Sequence, residues 1–82
     1  MKQLLYFSTK HCGPCKMFTP VMLKAAETIP VNFVDASASE LTTKYGVTSV
    51  PTVVLIEDGV EKARFIGMQF LHQVLEFYNQ NK

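Results

Sequence analysis

Cys12 and Cys15 are the only cysteines in the chain, and two residues separate them in the stretch His11-Cys12-Gly13-Pro14-Cys15-Lys16. Thiols at this spacing can close a structural disulfide, supply half a metal site, or exchange disulfides with other molecules. The apolar run Leu4-Leu5-Tyr6-Phe7 comes before them and reads as a buried strand, and the segment from Met17 to Ile29 comes after and reads as a helix. A strand therefore delivers both thiols to a helix N-terminus. Unpaired N–H groups and the positive end of the helix dipole favour a thiolate there.

The three chemistries are not equally supported. A disulfide across so short a loop constrains the unfolded chain little, and a reducing cytosol opposes it. Zinc needs four ligands, and the remaining candidates are His11 and His72. His11 adjoins Cys12 and His72 falls in a different predicted helix, so no second ligand pair has the right spacing and no metal is expected. A redox dithiol is the reading that a Cys-x-x-Cys beside a βαβ pattern supports.

The bulk of the sequence fits a small enzyme or carrier. Its 82 residues suit one domain, residues 1–82, and a 48% hydrophobic, 18% charged composition can bury a core. A formal net charge of +1 gives no basic surplus for a nucleic acid. No signal-peptide pattern follows Lys2, and the apolar run from Val50 to Ile56 is too short to span a bilayer, so a cytoplasmic monomer without a membrane partner is expected.

The elements that position the thiols follow from periodicity. Lys2 to Phe7 forms the first strand. The first helix starts at Cys12 or Gly13, with Pro14 in its first turn, and ends before Pro30. Phe18, Val21, Met22, Ala25 and Ile29 form its apolar stripe. Val31 to Asp35 is a second, parallel strand. Ser37-Ala38-Ser39-Glu40 fits a capping box opening a short helix that carries Leu41 and Tyr45 and stops at Gly46. Thr52 to Ile56 and Glu61 to Ile66 form a hairpin around Asp58-Gly59. Gln69 to Asn79 is the last helix, with Phe70, Leu71, Val74, Leu75 and Tyr78 on its apolar face, and residues 79–82 fray. The order β-α-β-α-β-β-α gives an α/β fold, a four-stranded mixed sheet with helices on both faces.

With this order in place, the chain resembles the thioredoxin family. Cys12-Gly13-Pro14-Cys15-Lys16-Met17 is similar to the thioredoxin active site, and Pro20 to the kink proline of its helix. Tyr45-Gly46-Val47 with Val50-Pro51-Thr52 resembles the segment leading to the family's cis-proline. Asp58-Gly59 matches the hairpin turn, and Gly67 the glycine before the last helix. The likeness runs the length of the chain. It lacks the further N-terminal strand and helix usual in the family, which implies a minimal, glutaredoxin-sized thioredoxin fold.

The resemblance implies that Cys12 is the nucleophile and Cys15 the resolving thiol, cycling through a Cys12–Cys15 disulfide with no bound cofactor. A free thiol has a pKa of about 8.5, which this setting can lower to roughly 3.5–7.5. Gly13 and Pro14 shape the bend and Lys16 adds positive charge, while His11 either adds charge when protonated or is a surface side chain stacked on the rim. Val50 and Pro51 would present backbone to an extended substrate, flanked by Gly67 and Met68, and Val47 would complete an apolar rim. Two positions depart from the family. His11 stands where thioredoxins usually carry Trp, and Tyr6 where they bury Asp. A tyrosine hydroxyl is no carboxylate base at neutral pH. The implied partners are disulfide-containing proteins and a thioredoxin-reductase-type flavoenzyme. Glutathione as reductant, or a binding subunit with an incidental dithiol, are the alternatives.

Overall fold

The computed structural model describes residues 1–80. The elements are β1 (Lys2–Ser8), α1 (Gly13–Ala25), β2 (Val31–Asp35), α2 (Glu40–Lys44), β3 (Thr52–Glu57), β4 (Val60–Ile66) and α3 (Leu71–Gln80). The four strands form one mixed sheet in the order β2-β1-β3-β4. β1 runs parallel to β2 and antiparallel to β3, which pairs antiparallel with β4.

Side chains alternate across this sheet and divide the core in two. Leu4 and Tyr6 of β1 and Val53 and Leu55 of β3 pack with Phe18, Met22 and Ala25 of α1 and Val74 of α3. Leu5, Phe7, Val54 and Ile56 face the other way, against Val34, Tyr45 and Val47, with Leu41 of α2 packed alongside. β1 and β3 are thus covered on both faces, which explains their nearly unbroken apolar runs. The β3–β4 turn is the two-residue hairpin expected, with Asp58 at φ 53° and Gly59 at φ 83°. Arg64 ties β4 to the α2 side by donating to the Glu61 carboxylate and to the Tyr45 carbonyl.

Four local expectations need correction. α1 ends at Ala25 rather than continuing to Ile29. Glu27 and Thr28 donate to carbonyls three residues back, at 3.1 and 3.0 Å, and tighten the chain into a turn. Pro30 disfavours a helical Ile29, and the turn lets Ile29 reach the core while β2 enters its register with β1. Ser39, not Ser37, caps α2, its hydroxyl accepting from the Leu41 amide at 3.1 Å. Ser37 instead donates from both its amide and its hydroxyl to Asp35 Oδ1. α3 begins at Leu71, and Phe70, assigned to its buried stripe, is 73% exposed. Asn79 and Gln80 are helical rather than frayed, and residues 81–82 lie outside the described residues.

Candidate active site

The sheet register brings three connections to one end of the molecule. Ser8 pairs with Asp35, Phe7 with Thr52, and Thr52 with Ile66. The end of β1, the start of β3 and the end of β4 therefore lie side by side. The first carries Cys12 and Cys15, the second Val50 and Pro51, and the third Gly67 and Met68. A bond of 2.9 Å from the Gly67 amide to the Pro51 carbonyl joins the last two. The Val50–Pro51 peptide bond is cis, as the resemblance implied.

Cys12 is the N-cap of α1, with extended backbone angles. Its own amide reaches back to the Thr9 carbonyl at 3.4 Å, closing the turn out of β1. Its Sγ accepts the Cys15 amide at 3.1 Å, so sulfur occupies the place a Ser or Asp oxygen takes in an ordinary cap. Pro14 sits in the first turn, where a missing N–H costs nothing, and no acidic residue lies there to compete for the positive helix end. The two sulfurs are joined as a disulfide, with Cα atoms 5.2 Å apart. Cys12 is 7% exposed and Cys15 2%, so both residues are buried and Cys12 is slightly the more exposed.

The surroundings are mixed. His11, Gly13, Pro14 and Lys16 are exposed around the disulfide. Met68 is exposed and Val50 half-buried, as a docking rim requires. Val47, expected on that rim, is buried in the core layer beneath α2 instead. Tyr6 is fully buried under α1, its hydroxyl 2.9 Å from Thr19 Oγ1. His72 is exposed on α3 and stacks on Phe70.

Two features escaped the sequence reading. Phe70 extends the exposed apolar surface beyond Met68, where a cleft lined by Val21, Met68, Gln69, Phe70 and Gln73 opens. Thr19 meets Tyr6 across the α1–β1 interface. Neither has a spacing signal, since one rests on where α3 begins and the other on a contact between separate elements.

A vicinal dithiol of unequal exposure, at a helix start above a four-stranded mixed sheet, defines a thiol–disulfide oxidoreductase site. Residues 1–80 match the family model described as Thioredoxin, and the chain belongs to the thioredoxin family. It is similar to the thioredoxin of Mycoplasma genitalium, 36% identical over 77 residues, covering 89% of this chain and 76% of that protein. The Mycoplasma pneumoniae thioredoxin is 37% identical over 83 residues, covering 96% of this chain and 81% of its own. Among solved structures, a variant thioredoxin from Halobacterium salinarum superimposes with a TM-score of 0.89 at 31% identity, covering 98% of this chain and 74% of that one. The Fasciola hepatica thioredoxin gives 0.83 at 33% identity, covering 99% and 81%.

Proposed function

We propose that this protein reduces disulfides in other proteins and is itself recycled by a thioredoxin-reductase-type flavoenzyme, acting as a cytoplasmic, monomeric, single-domain electron carrier. The observation that carries the reading is the placement of Cys12 Sγ as the cap of α1, where it accepts the Cys15 amide. An N–H that donates to sulfur stabilises a thiolate more than a thiol, because a charge-assisted bond is the stronger one.

The cycle needs no bound cofactor. The Cys12 thiolate attacks one sulfur of a substrate disulfide, and the other sulfur departs as a thiolate and takes a proton from water. A mixed disulfide joins Cys12 to the substrate. Cys15, deprotonated in its turn, attacks Cys12 Sγ, and the substrate's second sulfur leaves and is protonated. The substrate disulfide has gained two electrons and two protons, and the Cys12–Cys15 dithiol has become the disulfide. Two electrons from the reductase restore it.

Substrate would lie against Val50 and Pro51, with Gly67 and Met68 on its flank and Phe70 extending the apolar contact. His11, Gly13, Pro14 and Lys16 are exposed around the disulfide, and Lys16 adds a cationic side chain there.

Trapping tests the reading. Cys15→Ser attacks but cannot resolve, so when expressed in the native host it should accumulate covalent adducts through Cys12. Several target proteins and a flavoenzyme are expected. Adducts with glutathione alone would replace the reductase with a glutathione route, and no adduct would leave the fold as a binding subunit.

A further inference from the structure

Tyr6 is fully buried, yet it brings a hydroxyl beneath the active-site helix. Its ring is fixed by edge-on contacts with Phe18, at 5.5 Å, and Phe33, at 5.7 Å. The hydroxyl lies 2.9 Å from Thr19 Oγ1 and donates to the Cys15 carbonyl at 3.5 Å. With the Tyr6 proton on that carbonyl, Thr19 supplies the proton of the shorter bond, and both hydroxyls are used. Thr19 stands four residues after Cys15, so its side chain lies over the turn that carries the resolving thiol. Every Asp and Glu in the chain is exposed or only half-buried, and Tyr6 of β1 is the sheet residue whose hydroxyl bonds the Cys15 backbone.

We propose that Tyr6 and Thr19 are positioning residues for Cys15 in the second exchange step. The inference rests on the disulfide-exchange reading above. In the oxidised protein Cys15 is held by its bond to Cys12 and by its amide on Cys12 Sγ. In the mixed disulfide the first of these is gone, and Cys12 Sγ is shared with the substrate. The tether from the Cys15 carbonyl through Tyr6 to Thr19 does not involve either sulfur, so it survives the opening of the ring. It holds the Cys15 turn against β1 while Cys15 Sγ approaches Cys12 Sγ. The attack of Cys12 on substrate makes no use of it.

The two steps separate in stopped flow with a symmetrical nitrobenzoate disulfide, which releases one coloured thiolate on Cys12 attack and a second when Cys15 resolves the adduct. Tyr6→Phe and Thr19→Val should each slow the second release about three- to tenfold, the rate equivalent of one ordinary hydrogen bond. The first release should change less than twofold. Thr19→Ser keeps the hydroxyl and should restore the second rate. The double variant should be no slower than Tyr6→Phe alone, because Tyr6→Phe already removes both bonds. A second phase within twofold of the parent in both single variants would overturn the proposal. So would equal slowing of both phases, which marks general loosening of the helix. If the unaltered protein gives no first release at all, the exchange reading fails and the positioning role falls with it.

Discussion

The Gly67 amide donates to the Pro51 carbonyl at 2.9 Å, so the residue that leaves β4 is fastened to the residue that enters β3. Gly67 makes this bond at φ 90°, in the left-handed region that side chains resist. A Cβ there would meet nothing within 4 Å, so the resistance is conformational and not steric crowding by neighbours. Gly67→Ala should cost about 1–2 kcal/mol of stability in urea denaturation. Turnover of protein disulfides should fall as well, because Met68 and Pro51 lose their fixed relation.

Acid should weaken the β4 edge in a defined window. Arg64 bonds Glu61 through Nε at 2.6 Å, which holds the Glu61 carboxyl below its ordinary pKa and raises that of Arg64. A lowered folded-state pKa contributes stability that is present above the unfolded value, about 4.3, and is lost as pH falls through the folded value. Both side chains are nearly a third exposed, so solvent screens the pair. Glu61→Gln should therefore cost only about 0.5–1 kcal/mol at pH 7. The gap between variant and parent should close below about pH 4. Urea midpoints across pH would check it, and a gap constant with pH would refute the pairing.

What could be read from the sequence was local. The apolar strand runs, the Asp58-Gly59 turn and the Cys12-x-x-Cys15 pair each sit within a few neighbouring residues, and the fold and the dithiol follow from them. What could not be read depends on where elements meet. The apolar period of α1 runs on to Ile29, but the helix stops at Ala25 because the chain must turn to bring Val31 beside Leu4. Val47 and Phe70 are both apolar residues near element ends. One is drawn under α2 and the other left outside, and only the tertiary packing separates them. The Tyr6–Thr19 contact joins residues 13 apart on different elements, with no periodicity to announce it.

The two serines before α2 should respond differently to removal. Ser39 caps a helix of only five residues, so Ser39→Ala should lower stability by about 1 kcal/mol. Ser37 serves Asp35, whose pKa is lowered first by the Ser37 hydroxyl and then by its amide. Ser37→Ala should leave α2 in place and move the Asp35 pKa up toward its ordinary value, as read by a carboxyl-resonance titration. The reverse pattern, a helix lost with Ser37 and kept without Ser39, would restore the capping box that the sequence suggested.

Phe70 offers a test of the docking face that does not touch the thiols. It is 73% exposed and stacks only loosely, its ring centroid 6.1 Å from that of His72. Phe70→Ser should therefore shift stability by no more than about 0.5 kcal/mol. If substrate chains rest on Met68 and Phe70, the variant should raise KM for a protein disulfide several-fold more than for a small dialkyl disulfide, which is too short to reach that surface from Cys12. Phe70 and Met68 line one cleft with Val21, and a contiguous exposed apolar patch of this kind marks an interaction surface. Equal effects on both substrates would mean that the apolar extension beyond Met68 takes no part in binding, and that the backbone of Val50 and Gly67 carries recognition without it.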